Sequence, residues 1–168
     1  LRAYRHQLAD AQIEERLGKI QEQIAYLKAI MEDVLQLARL QARRAEFNPV
    51  RLDLDALCRS VLDEFQSRPD NAQPLNYHCD ARLRDVYLDK KLMRQIINNL
   101  ASNAYKYSIA NKPIIIQLDM VQPNGAKKIL VLTVRDKGIG IPEADLSHLF
   151  EPFHRAANVG TISGTGLG

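Results

Sequence analysis

Cysteine is scarce in this chain of 168 residues, and the two present, Cys58 and Cys79, stand 21 positions apart with no Cys-x-x-Cys pair. That excludes a disulfide framework and a thiolate zinc site, and makes a reducing cytoplasm the default setting. Long apolar runs are missing too. The longest, such as Ile129 to Leu132, fall far short of the ~18 residues a spanning helix needs, and no charged-then-apolar leader is seen, so a soluble protein is expected. Nor is charge of one sign in excess: 23 Lys and Arg against 20 Asp and Glu leave +3, too balanced to argue for nucleic acid or an acidic membrane surface. Internal repeats and low-complexity tracts are absent. What is there is the composition of a folded protein, 46 % hydrophobic and 26 % charged, in a length that suits one domain or a short helical module joined to one domain.

The helical module comes first. Ile13, Leu17, Ile20, Ile24, Leu27, Met31, Val34 and Ala38 recur in alternating steps of four and three, the seam of a coiled coil. Tyr26, Ile30, Leu35 and Leu37 widen that stripe beyond what a two-stranded zipper needs, which suits a four-helix bundle. Leu1, Tyr4 and Leu8 also have helical spacing, and Asp10 can cap the long helix, so residues 1–45 are expected to form a hairpin that pairs with a second copy, the alternative being an arm folded back on its own domain. Asn48-Pro49 ends this arm, and residues 46–168 form the second domain.

There the pattern is α+β. A strand through Val50 to Leu54 precedes a helix carrying Leu57, Val61, Leu62 and Phe65, capped by Asp53 or Asp55. Short strands at Leu75–Cys79 and Arg84–Leu88, a helix from Asp89 to Tyr107, and strands at Ile114–Val121 and Ile129–Val134 around an Asn124-Gly125 turn follow. Helices are expected on one face of a mixed or mostly antiparallel sheet.

Three features carry chemistry. At about 100° per residue the helix from Asp89 gathers Gln95, Asn99, Ser102, Asn103 and Lys106 on one side, opposite Met93, Ile97, Leu100 and Ala104. Asparagine is a poor interior helix former, so Asn99 and Asn103 call for solvent or a polar ligand above them, and solvent suffices for the helix alone. Next, Asp136-Lys-Gly138-Ile-Gly140-Ile141-Pro142 places an acid and two glycines after a strand, with Pro142 expected to stop that strand. Glycines there permit positive φ or close approach to a flat ligand, and a carboxylate can accept from the exocyclic amine of adenine, though a plain Asp-x-Gly turn would look alike. Last, Gly164-Thr165-Gly166-Leu167-Gly168 can present backbone amides to an anion such as a triphosphate, or be merely flexible.

Taken in order, Asn99-Leu-Ala-Ser-Asn103-Ala-Tyr-Lys106-Tyr107, Asp136-Lys-Gly138-Ile-Gly140, Leu149-Phe150-Glu-Pro-Phe153-His-Arg155 and Gly164-Thr-Gly-Leu-Gly168 resemble the nucleotide boxes of bacterial sensor histidine kinases. The arm is similar to that family's dimerisation and phosphotransfer hairpin. The resemblance implies a dimeric four-helix bundle followed by a two-layer α/β sandwich of the Bergerat (GHKL) type. It implies that Asn103, with Asn99 beside it, ligates the Mg²⁺ of bound ATP, that Lys106 pairs with phosphate and that Tyr107 lies against adenine. Asp136 would read the adenine amine, Gly138, Gly140 and Ile141 would shape the base pocket, and Phe150 to Ser163 would be a mobile lid with Arg155 near the phosphates. Gly164, Thr165, Gly166, Leu167 and Gly168 would form the phosphate turn.

In related ATPases a glutamate activates water where this sequence has Asn99, an amide that cannot be a general base. The γ-phosphoryl is therefore expected on a protein nucleophile, which the resemblance implies is a histidine on the first helix of the hairpin, followed by the aspartate of a response-regulator receiver domain. The family's acceptor box, a histidine followed by an acid and Arg-Thr-Pro, does not occur: His6 is followed by Gln-Leu-Ala, and His78, His148 and His154 lie elsewhere. The acceptor is expected upstream of Leu1 and the ATP domain is expected to continue past Gly168, so autophosphorylation of residues 1–168 by themselves is not expected. The resemblance implies a cytoplasmic location, with membrane contact only through segments outside these residues. A GHKL-type ATPase and a non-catalytic dimeric scaffold are the alternatives.

Overall fold

The structure is a computed structural model and describes residues 10–41, 47–68, 71, 73–160, 162, 164 and 166. The expected first arm at Leu1–Leu8, His6, and the glycine-turn positions Thr165, Leu167 and Gly168 lie outside the described residues. The chain divides into two compact units at 45/46.

The first unit contains one long helix, α1 (Asp10–Gln41). Its seam residues Leu17, Ile20, Ile24, Leu27, Met31 and Val34 are exposed, and the flanking Leu35 is exposed with them. The second unit holds β1 (Val50–Leu52), α2 (Leu54–Gln66), β2 (Leu75–Cys79), β3 (Val86–Leu88), α3 (Lys90–Tyr107), β4 (Ile114–Val121) and β5 (Ile129–Arg135). β1 pairs antiparallel with β3. In the other sheet β4 is central, parallel to β2 from Leu75↔Ile114 to Cys79↔Leu118 and antiparallel to β5 from Ile115↔Arg135 to Val121↔Ile129. The parallel pair requires the long crossover that α3 supplies.

The core lies between the helices and this sheet. Leu54, Leu57, Cys58, Val61, Leu62 and Phe65 of α2 meet Met93, Ile97, Ala101, Ala104 and Tyr105 of α3 and the inward Ile114, Ile116 and Leu118 of β4. Phe65 and Tyr105 stack with ring centroids 5.5 Å apart. Each large apolar side chain so buried contributes roughly 1.5–3 kcal/mol. The helical wheel needs one correction: Leu100 is exposed, and Ala101 takes the inward place. Ala101 is about 40° from Ile97 around the helix, whereas Leu100 is about 60° off on the other side, at the edge of the polar stripe.

Helix starts are set by aspartates. Asp53 caps α2 by accepting from the Ala56 N–H at 2.9 Å. Asp55 is not a cap: it is buried, and its Oδ1 accepts from the Tyr77 hydroxyl and the Arg59 guanidinium, both at 3.0 Å. Asp89 caps α3 through the Leu92 N–H at 3.1 Å and also accepts from the Asn48 N–H at 2.9 Å, which ties the entry of β1 to the start of α3. The expected strand at Arg84 begins only at Val86, because Ala81–Arg84 form a 3₁₀ turn capped by Asp80.

Candidate functional site

The site is built where α3 ends and β5 runs out. On α3, Asn99 is half-buried, Asn103 exposed, and Lys106 and Tyr107 half-buried. The spacings of four and three keep Asn99, Asn103 and Lys106 on one helix face. The Lys106 ammonium sits 5.1 Å from the centroid of the Tyr107 ring, within cation–π range.

β5 delivers Asp136 to the same end of α3. There the Ile109 N–H donates to the Lys137 carbonyl at 3.1 Å and the Ile139 N–H to the Tyr107 carbonyl at 3.2 Å, while Ser108 and Gly138 form an isolated antiparallel bridge. Asp136 is exposed, and its Oδ1 accepts from the Gly138 N–H at 2.8 Å. A Cβ on Gly138 would lie 2.3 Å from the Tyr107 carbonyl oxygen and 2.7 Å from Asp136 Oδ1, so only glycine fits. The close approach expected of this glycine is thus made to the chain's own helix end. Gly140 has φ +66°, the left-handed conformation expected of a turn glycine. Ile141 is exposed. Pro142 does not stop a strand; β5 has already ended at Arg135, and Pro142 opens a 3₁₀ turn over Glu143–His148.

The segment beyond folds back on itself. The Phe153 N–H donates to the Gly166 carbonyl at 2.8 Å, the Ala157 N–H to Asp145 Oδ2 at 3.0 Å, and Arg155 to the Ile162 carbonyl. His148 Nδ1 is 2.9 Å from Glu151, and His154 Nε2 is 3.2 Å from Asp145. Gly164 meets Lys106: a Cβ there would lie 2.6 Å from its Nζ. Lys106, Tyr107, Gly138 and Gly164 therefore form one junction, with Asp136 bonded to its rim through Gly138. Phe150 stands apart, 98 % exposed. Asn158, outside the sequence motifs, donates from Nδ2 to the carbonyls of Gly140 at 3.0 Å and Ile139 at 3.3 Å. Its one signal was an Asn two residues before Gly160 in a polar tract, a turn former.

The donor set suits a hard cation and an anion together. Among the described residues no group of three His, Cys, Asp or Glu could hold a metal. Asn99 and Asn103 offer amide oxygens instead, the few protein ligands that Mg²⁺ takes beside phosphate and water. Lys106 brings a positive charge to the same helix face, next to Gly164.

Residues 88–168 match the family model described as histidine kinase-, DNA gyrase B- and HSP90-like ATPase. That stretch belongs to this class of ATPases, whose shared property is ATP binding. Within the class, its relatives include bacterial sensor histidine kinases, which supports an ATP-binding domain of that kind. Sensor histidine kinase WalK of Bacillus subtilis is 27 % identical along 100 % of the chain, and YkoH of the same organism 34 % identical along 93 %. The chain spans only 28 % and 33 % of those two proteins. The solved complex of histidine kinase ThkA with response regulator protein TrrA shares the fold, with a TM-score of 0.64 at 22 % identity, over 92 % of this chain and 44 % of that one. No helix of the described residues is long and apolar enough to cross a membrane.

Proposed function

We propose that this chain is the catalytic part of a sensor histidine kinase, which binds Mg²⁺–ATP at the α3 junction and passes the γ-phosphoryl to a protein histidine. A response-regulator aspartate is the next acceptor, in keeping with the solved complex of ThkA and TrrA. The observation that carries the reading is the convergence of Lys106, Tyr107, Gly138 and Gly164 at the end of α3, beside Asp136.

Each residue has a physical task. Asp136 Oδ1 is engaged by the Gly138 N–H, and Oδ2 has no partner among the described residues, which leaves it to accept from the adenine amine. A guanine would present an oxygen there and be repelled. Tyr107 offers a face to the base, and Lys106 beside Gly164 neutralises phosphate. Asn103 and Asn99 would hold Mg²⁺, which when bound supplies charge neutralisation across the phosphates. Because an amide cannot take a proton from water, Asn99 leaves hydrolysis without a base, and transfer to imidazole is favoured. His148 and His154 face carboxylates of their own segment, which argues against their being the acceptor. The exposed α1 stripe is the pairing surface of a homodimer. The location that goes with this reading is cytoplasmic.

Titration calorimetry with ATP and Mg²⁺ tests the site. Wild-type chain should bind saturably, and Asp136→Asn should weaken binding by at least about tenfold, the loss of a charge-assisted hydrogen bond, without lowering the unfolding temperature. Equal affinity of the two proteins would remove Asp136 from the site. Sedimentation of the chain as a monomer would remove α1 as the pairing surface.

A further inference from the structure

We propose that Asn158 is a positioning residue for nucleotide binding, whose side-chain amide tethers the 157–159 turn to the glycine turn that follows Asp136. The inference rests on the nucleotide reading above and adds a residue that lies outside the motifs.

The tether has two bonds, from Asn158 Nδ2 to the carbonyl of Gly140 at 3.0 Å and to that of Ile139 at 3.3 Å. These carbonyls belong to the turn in which Gly140 has φ +66°. Glycine gives that turn the widest conformational choice in the region, and no other donor among the described residues fixes its two carbonyls. Its amide side is held separately: the Ile139 N–H by Tyr107 and the Gly138 N–H by Asp136. Asn158 in turn is anchored by its neighbour, since the Ala157 N–H donates to Asp145 Oδ2 at 3.0 Å. Asn158 therefore links its own short 3₁₀ turn, Ala157–Val159, to the base-side turn at 136–140, and lies six positions ahead of the Gly164 that meets Lys106.

This arrangement brings the two halves of the site together before nucleotide arrives. Asp136 reads the base and Gly164 with Lys106 meets phosphate, and the Asn158 bonds join the backbones that carry them. A ligand that needs both halves in register binds with an affinity scaled by the fraction of molecules already in that register. Removing the tether lowers that fraction. Asn158 itself is exposed and outside the hydrophobic core, so its loss leaves the scaffold unchanged.

Asn158→Asp is isosteric and turns the donor into an acceptor facing two carbonyl oxygens; Asn158→Ala deletes it. Hydrogen exchange of the nucleotide-free chain should show faster exchange of the Gly138 and Ile139 amides in both variants. Titration with a trinitrophenyl-ATP probe and Mg²⁺ should give a dissociation constant raised about fivefold or more for Asn158→Asp and less for Asn158→Ala, at unchanged unfolding temperature. Wild-type exchange rates in both variants would overturn the tether. Faster exchange with unchanged probe affinity would overturn its role in binding. A wild-type chain that ignores the probe would overturn the nucleotide reading and the binding role with it, while the exchange data still decide the tether.

Discussion

Between α2, α3 and β4 the chain withdraws whole apolar side chains from water, with Leu54, Ile97, Ile114 and Leu118 at or below 1 % exposure. From Asp136 to Gly166 no described residue is buried to that degree, and the segment is held by single polar links such as Asp136–Gly138, Asn158–Gly140 and Asp145–Ala157. Hydrophobic burial is cooperative and insensitive to direction, while a hydrogen bond in contact with water contributes about 1 kcal/mol and depends on geometry. The packed half thus governs whether the domain is folded, and the turn-built half governs what it can hold. Substitutions should separate along that line.

The largest effect belongs to the packed half. Ile97→Ala empties a fully buried position and should destabilise by about 2–5 kcal/mol in urea titrations, with nucleotide affinity unchanged where the domain is still folded. Matching losses of stability and affinity would erase the distinction. Gly138→Ala is the deliberate exception. The Cβ would stand 2.3 Å from the Tyr107 carbonyl, a backbone atom that cannot rotate away. Relief requires moving the end of α3 or the Asp136 turn, and the overpacking should cost about 1–3 kcal/mol while weakening nucleotide binding too. A variant as stable as wild type would mean that the helix end and the turn are not locked together.

Local features were legible in the sequence wherever one segment contains its own cause. The strand through Ile114–Val121, the helix beginning near Asp89 with its Met93 and Ile97 periodicity, and the Asp136 turn needed no knowledge of neighbours. What escaped depends on partners distant in the chain. The parallel register of β2 on β4 is fixed by a crossover, not by either strand. Asp55 looks like a second possible cap until Tyr77 and Arg59 are brought to it. Gly138 announced a close approach, but the approaching atom, the Tyr107 carbonyl, is 31 positions earlier. Asn158 sits in a polar tract of unremarkable composition, and only the fold puts two carbonyls in front of it.

The smallest expected effect sharpens the comparison at its boundary, since Asp89 is a polar device inside the packed half. Its two oxygens accept from separate backbone N–H groups, Asn48 at 2.9 Å and Leu92 at 3.1 Å. These bonds, that of Asn48 first and that of Leu92 second, hold its carboxyl below the usual carboxylate range. A depressed folded-state pKa means the unfolded chain binds the proton more readily, so the stabilisation is complete above the unfolded value of about 3.9 and drains away as pH falls through the folded one. Asp80 is lowered as well, by the Arg82 side chain and then by its backbone N–H, and Asp85 by the exposed Arg51, but both arrangements are the same in wild type and Asp89→Asn. In urea titrations between pH 7 and pH 3 at high salt, Asp89→Asn should therefore lower stability at pH 7 and flatten the acid limb. The amide retains one acceptor for the Leu92 N–H and sets an NH₂ against the Asn48 N–H, so the helix still starts while the link to β1 is lost. Parallel acid limbs for the two proteins would show that the tie between Asn48 and Asp89 contributes nothing to folding.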